Sequence, residues 1–183
     1  ALAMRRVEGT RFAAAVFSNL TRDHLDYHLD MEHYFGMKRR LFEMLPAGAP
    51  AIINTDDPFG LQLVEMVGRP VTYAIDRAAD VTPDRVKSSL LGTSIDVFTP
   101  RGRLQLRTSL PGRLNVYNLL AAVSAAVALD VPFQAIEQGV AGLEGVPGRF
   151  EMVSSPDDDV RVLVDYAHTD DALRAVLGAG CEL

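Results

Sequence analysis

The stretch AIINTDDPFGLQLVEMVGRPVTYAI, residues 51–75, contains the pattern that decides the fold. Its first residues, 51–53, are apolar and typical of a short buried strand, and residues 56–58, Asp-Asp-Pro, are typical of a helix start. Apolar residues three apart between Leu61 and Val67 then share one helical face. The segment VTYAI at 71–75 predicts a second strand. A strand, a helix and a strand in this order predict a parallel β–α–β unit.

Related patterns lie on both sides of this unit. AAAVFS at 13–18 predicts another short strand, and MEHYFGMKRRLFEML at 31–45 predicts a helix. From about residue 84 polar and apolar residues alternate, which predicts an antiparallel hairpin or meander added to the sheet. NVYNLLAAVSAAVAL predicts an alanine-rich helix with Asn115 as its N-cap, and Pro132 starts another short helix.

The last part of the chain predicts the start of a second unit. The loop at 145–148 contains two glycines and a proline, which is typical of a boundary. Beyond it, residues 150–155 and 160–166 predict two strands, and residues 171–177 begin a helix. Two strands and one helix are too few to close a core, so we expect this unit to be truncated. The expected fold class is α/β, with a mostly parallel sheet, helices on both faces and an added antiparallel hairpin.

The composition is typical of a soluble globular protein with a hydrophobic core. Hydrophobic residues make up 48% of the 183 residues and charged residues 23%, which excludes a disordered chain, a collagen-like repeat and a coiled coil. The net charge of −6 disfavours nonspecific binding to nucleic acid or to an anionic membrane. A single cysteine, Cys181, excludes an internal disulfide framework. We expect no membrane span and no signal peptide, and a cytoplasmic location.

The densest polar cluster follows the first predicted strand. His24, His28 and His33 lie there among several carboxylates, in the loop where open α/β sheets place ligands. One interpretation is a metal or phosphate site, and the other is a polar helix entry with capping residues. No HExxH pattern is present, so a zinc site is unsupported.

Other candidate residues lie farther along the chain. Lys38 is one of only two lysines among 18 basic residues, so it is a candidate for a role that needs a primary amine. Asn115 and Asn118 could present amides to a base or phosphate, or simply cap a helix. Asp165 ends a predicted strand, where nucleotides bind in doubly wound sheets. No GxxxxGK[ST] loop occurs, so the residues alone indicate a nucleotide or metal site of unassigned chemistry.

Five stretches, in order along the chain, resemble the Mur ligase family. They are FSNLTRDHLDYHLDMEHYFGMKRRLF, INTDD, LPGRLNVYNLLAA, GVPGRFEMV and VDYAHTDDALRAVL. The resemblance implies a central ATP-binding domain at residues 1–146, without its N-terminal phosphate-loop part. Residues 147–183 would be the start of a Rossmann-like C-terminal domain.

The resemblance also implies site residues and the cofactors ATP and Mg²⁺. His24 matches a magnesium-binding histidine. Lys38 matches a lysine that carbon dioxide converts to a carbamate, which supports a second magnesium ion and which only a primary amine can form. Asn118 matches an asparagine near the adenine. Arg149 and Asp165 match residues that face ATP across the domain cleft. A substrate-binding arginine of the family, which holds the UDP-muramyl peptide, corresponds to Arg6.

The implied reaction is ATP-dependent amide formation through an acyl phosphate. Its substrates would be a UDP-muramyl dipeptide and the amino acid added in third position. Alternatives are a ligase similar to folylpolyglutamate synthase and a noncatalytic nucleotide-fold binding module.

The sequence also departs from the family. The GKT/S loop is absent, and His168–Thr169–Asp170–Asp171 stands where relatives have His-Thr-Pro-Asp. We therefore expect the isolated chain to be inactive and to self-associate through an open sheet edge.

Overall fold

The computed structural model describes residues 2–22, 29–155 and 157–181. No helix in this part of the chain has the length and apolar character needed to cross a membrane. Helices and strands follow one another as β1 (Ala15–Phe17), α1 (Met31–Glu43), β2 (Ala51–Asn54), α2 (Pro58–Met66), β3 (Val71–Tyr73), β4 (Thr82–Ser89), β5 (Gly92–Thr99), β6 (Gly102–Thr108), α3 (Arg113–Ala128), α4 (Phe133–Ala141), β7 (Glu151–Met152), β8 (Leu163–Val164) and α5 (Asp170–Cys181).

The first three strands form the predicted parallel sheet. Their order is β1–β2–β3, with Ala15 paired with Ala51 and Ile52 paired with Val71. All four residues of β2 are buried, as expected of a strand covered on both faces. The α/β fold with a parallel unit at its centre is therefore confirmed.

Strands β4, β5 and β6 form the predicted antiparallel meander, but as a separate three-stranded sheet rather than an extension of the first. A single bridge between Tyr73 and Val81 joins the two sheets. The pairing of β4 with β5 shifts register between Pro83 and Arg85. Proline has no N–H to donate, and a bulge increases local twist, and both disfavour further pairing of this segment with β3 beyond the bridge at Val81.

Two hydrophobic clusters cover the two faces of the parallel sheet. On one face, Ile52 packs with Leu104 of the meander and Leu120 of α3. On the other face, the neighbouring Ile53 packs with Phe35 of α1 and Leu63 of α2. Successive side chains in a strand point to opposite faces, so two adjacent isoleucines belong to two different clusters. Helices on both faces are thereby confirmed.

The last part of the chain forms smaller elements than its sequence predicts. Strands β7 and β8 pair antiparallel over two residues each, with Glu151 opposite Val164. Helix α5 contacts α3. Apolar side chains such as Val160 and Leu177 are 68% exposed. Self-association of the chain through an open sheet edge, and the domain boundary near residue 147, stay predictions.

Candidate nucleotide-binding site

The carboxyl ends of the parallel strands meet at one edge of the sheet, where open α/β folds bind ligands. The loop after β1 begins there at Ser18, and the segment Asn54–Asp57 ends β2 and leads into α2. Side chains of the second segment hold the backbone of the first. Asn54 donates from Nδ2 to the Ser18 carbonyl oxygen at 2.7 Å.

Asp57 uses its two carboxylate oxygens for two different segments. Its Oδ1 accepts hydrogen bonds from the N–H groups of Phe59, at 2.8 Å, and Gly60, at 3.3 Å, and so caps α2. Its Oδ2 accepts from the N–H of Leu20 at 2.8 Å. A single buried carboxylate therefore starts a helix and holds the loop after β1 in place.

Asp56 joins the ends of β2 and β3 to helix α3. Its Oδ2 accepts from the N–H groups of Ile75, at 2.6 Å, and Asp76, at 3.0 Å. The Tyr117 hydroxyl donates to the same oxygen at 2.9 Å. Its Oδ1 is buried without a hydrogen bond among the described residues and lies 3.3 Å from Arg77 Nε.

These contacts change the pKa values of Asp56 and Tyr117. Burial acts to raise the pKa of Asp56, but the two backbone N–H bonds, the Tyr117 hydroxyl and the Arg77 charge outweigh it, and the pKa lies below its ordinary value. Burial, together with the hydrogen bond to Asp56, raises the pKa of Tyr117 to about 12. The carboxyl is therefore ionised and the hydroxyl protonated at neutral pH.

Helix α3 starts earlier than its sequence predicts, so Asn115 is not its N-cap. Gly112 occupies that position with φ of +84°, a conformation that favours glycine, and no side chain caps the helix. Asn115 lies in the first turn and donates from Nδ2 to the Pro111 carbonyl oxygen at 2.8 Å. Asn118, which is exposed, donates from Nδ2 to Asn115 Oδ1 at 3.3 Å.

The structure brings Arg149 and Asp165 together across the β7–β8 pair. Asp165 accepts from the N–H of Phe150 through Oδ2, at 2.8 Å, and from the N–H of Ala167 through Oδ1, at 2.7 Å. The Arg149 guanidinium lies 4.9 Å from the centre of the Tyr166 ring. An exposed cation and a fixed carboxylate thus lie on adjacent segments.

The other predicted residues lie on separate segments. Lys38 is half-buried on α1, with Nζ 5.0 Å from the centre of the Tyr34 ring, and Arg6 lies on an exposed turn before β1. His24 is outside the described residues. No hydrogen bond or ion pair between described residues joins Lys38 or Arg6 to Asn118. Nor do three metal-ligating side chains gather anywhere in 2–22, 29–155 and 157–181.

The sequence predicted the helix start at Asp57 but not its bond to Leu20, and it did not predict the roles of Asp56 and Tyr117. Two consecutive carboxylates directly after a buried strand were a usable signal, since that position faces the ligand edge of the sheet. Tyr117 gave no comparable signal, because its partner Asp56 lies 61 positions earlier in the sequence.

Comparison with known proteins shows the family. The Mur ligase middle domain matches residues 1–126. A UDP-N-acetylmuramoyl-L-alanyl-D-glutamate–2,6-diaminopimelate ligase of Gloeobacter violaceus is 48% identical over 98% of this chain and 37% of its own length. The protein of the same name from Geobacter metallireducens is 47% identical over 100% of this chain and 37% of its own.

A solved structure of a ligase with this name agrees in fold. It is 35% identical to this chain and superposes on it with a TM-score of 0.78. The match covers 97% of this chain and 37% of the length of that structure. The chain thus spans little more than a third of the length of the curated relatives it matches. With a middle-domain match over most of its residues and relatives close to half identical along its whole length, the chain belongs to the Mur ligase family.

Proposed function

We propose that this chain is part of an ATP-dependent ligase of cell-wall peptidoglycan synthesis. The ligase would join the third amino acid, 2,6-diaminopimelate, to UDP-N-acetylmuramoyl-L-alanyl-D-glutamate in the cytoplasm. The observation that carries the proposal is 48% identity over 98% of the chain to a ligase with that name. Because the chain covers 37% of that relative, the activity would belong to the whole protein. Residues 1–146 would supply its central domain and residues 147–183 the start of its C-terminal domain.

The residues around β7 and β8 fit a role in binding ATP. Asp165 is held by two backbone N–H groups, which fixes its carboxylate, and Arg149 presents an exposed guanidinium nearby. A guanidinium binds phosphate oxygens through a planar set of N–H donors, and a fixed carboxylate accepts hydrogen bonds from ribose hydroxyls. Asn118 would contact the adenine, since it is exposed on α3 and carries an amide.

Lys38 fits the proposed carbamate site. Its amine lies over the face of the Tyr34 ring at 5.0 Å, half-buried on a helix that packs on one face of the parallel sheet. Addition of carbon dioxide to the neutral amine releases one proton and leaves a carbamate, whose single negative charge is shared by two oxygens of the kind that Mg²⁺ prefers. His24 would be a further ligand. Magnesium would neutralise charge between the substrate carboxylate and the phosphates of ATP.

The reaction would proceed in two steps, with Arg149 and Arg6 binding and orienting the reactants. The substrate carboxylate would attack the γ-phosphorus of ATP, and ADP would leave. The amino group of 2,6-diaminopimelate would then displace phosphate from the acyl phosphate, with loss of one proton. Arg149 would stabilise the phosphates during transfer, and Arg6 would hold the UDP-muramyl dipeptide.

The test is an assay of the gene-encoded protein that contains this chain. We expect amide product and ADP only when UDP-N-acetylmuramoyl-L-alanyl-D-glutamate, 2,6-diaminopimelate and ATP are all present. Absence of the amide product would refute the proposed function.

Substitutions at Lys38 test the carbamate. Lys38→Ala and Lys38→Arg should each lower kcat by roughly 100-fold or more, because neither side chain forms a carbamate. Short carboxylic acids should restore part of the activity of Lys38→Ala. The matched control is Lys87→Arg, on the exposed strand β4, which should keep full activity. Full activity of Lys38→Arg would mean that a positive charge is sufficient.

A further inference from the structure

The two asparagines at the start of α3 form a short chain of hydrogen bonds, here called the amide relay. Asn115 is only 9% exposed and donates from Nδ2 to the Pro111 carbonyl oxygen at 2.8 Å. Asn118 donates from its own Nδ2 to Asn115 Oδ1 at 3.3 Å. The relay therefore runs from the backbone of Pro111 through one buried amide to one exposed amide.

The amide relay has only one possible polarity. A backbone carbonyl can accept but not donate, so Asn115 has to direct its NH₂ group at Pro111. Its Oδ1 then faces Asn118, and two amide oxygens placed together would repel each other. Asn118 therefore has to direct its NH₂ group at Asn115, which leaves Asn118 Oδ1 as the acceptor for a ligand.

This polarity distinguishes two kinds of purine. A 6-amino purine such as adenine presents a donor at C6, whereas a 6-oxo purine such as hypoxanthine presents an acceptor there. A side-chain amide that is free to flip by 180° can present either its oxygen or its NH₂ group, so it can match either base. An amide whose NH₂ group already donates a hydrogen bond inside the protein cannot flip without breaking that bond.

We propose that Asn115 is a positioning residue that sets the hydrogen-bond polarity of Asn118, and through it the preference of the site for a 6-amino over a 6-oxo purine. The inference rests on the proposed contact of Asn118 with the base of ATP. Asn115 itself is buried and acts only through Asn118.

The start of α3 is also held by contacts outside the amide relay. The N–H of Gly112 donates to Ser88 Oγ at 2.8 Å, and the Tyr117 hydroxyl donates to Asp56 at 2.9 Å. A change at Asn115 thus releases the Asn118 amide while the helix start keeps its other contacts. Conversely, Tyr117→Phe weakens the attachment of the helix and leaves the relay complete, which makes it the matched control.

The experiment compares the binding of ADP and inosine diphosphate to the gene-encoded protein by isothermal titration calorimetry. We expect the wild-type protein to bind ADP about tenfold more tightly, because a mismatched polar group at C6 is left unpaired. In Asn115→Leu, which has a similar volume but no polar atoms, the preference should fall to about twofold or less. Asn115→Ser should likewise lower the preference for ADP to about twofold or less. It replaces the leucine variant in the experiment if the leucine variant does not fold. Tyr117→Phe should keep the wild-type preference even if both affinities fall.

The outcomes separate the inference from the proposed function. A wild-type protein that binds neither nucleotide would refute the proposed function and the inference with it. Binding of ADP with an undiminished preference in the Asn115 variants would refute the inference alone. Equal binding of both nucleotides by the wild-type protein, or an equal loss of preference in Tyr117→Phe, would also refute it.

Discussion

Replacing Gly60 by alanine should destabilise the protein although alanine is the better helix former. Gly60 lies in the first turn of α2, which packs directly on the end of β2. A Cβ at this position would lie 1.8 Å from the Asn54 carbonyl oxygen and 3.0 Å from its carbonyl carbon. These are backbone atoms of a buried strand, so they cannot move aside as the end of a flexible side chain would.

The magnitude follows from two opposing contributions. Replacing glycine by alanine favours a helix by about 1 kcal/mol in its interior, and by less in the first turn, where Gly60 lies. Overpacking of this kind costs about 1–3 kcal/mol, and a 1.8 Å contact with backbone places Gly60→Ala at the upper end or beyond it. We expect a net loss of about 2 kcal/mol, which corresponds to a fall in Tm of about 4–8 °C for a chain of this size.

Gly36→Ala is the matched control for this substitution. Gly36 lies within α1, and a Cβ there would meet no atom within 4 Å. The same substitution should therefore stabilise the protein by about 0.5–1 kcal/mol. Both variants would be compared with the wild-type chain by urea and thermal unfolding, followed by circular dichroism. Equal stability of the two alanine variants would refute the close packing of α2 on β2.

Two further predictions concern the carboxylates after β2. Asp57→Ser should keep the cap of α2, because the serine hydroxyl can accept the same hydrogen bond, but it should lose the bond to the Leu20 N–H. Hydrogen exchange should therefore accelerate at the Leu20 amide and not at the Gly60 amide. Unchanged exchange at Leu20 would contradict this prediction. Because the pKa of Asp56 is lowered in the folded state, its contribution to stability is present above the unfolded-state value of about 3.9 and is lost as the pH falls through the folded pKa. The urea midpoint should therefore fall less between pH 6 and pH 3 in Asp56→Asn than in the wild-type chain, and parallel profiles would argue against the shift.

The elements that could be predicted are those with local signals. The unit at residues 51–75 combines a buried apolar run with a helix start at Asp57, and both signals lie within the segment that they describe. The alternation after residue 84 likewise identifies the meander. Each of these predictions depends on neighbours a few positions apart, so the rest of the chain was not needed to make them.

The features that could not be predicted depend on distant contacts or on a single backbone conformation. Asn115 has the chemistry of an N-cap, but the positive φ of Gly112 starts the helix earlier and turns the amide towards Pro111. The bond between Asp56 and Tyr117 depends on how the sheets and α3 pack. The roles of Asn118 and the other predicted site residues stay predictions.

The bond between Asp56 and Tyr117 has a consequence for the order of folding. It joins positions 61 apart in the chain, and the intervening sequence includes the whole meander, residues 82–108. The meander pairs residues close in sequence, such as Ser88 and Thr93, so its loops close at a smaller entropic cost. We expect the meander to form early and to shorten the span that remains between Asp56 and Tyr117. The folded meander would then bring α3 close to the carboxyl ends of the parallel strands, where Asp56 lies.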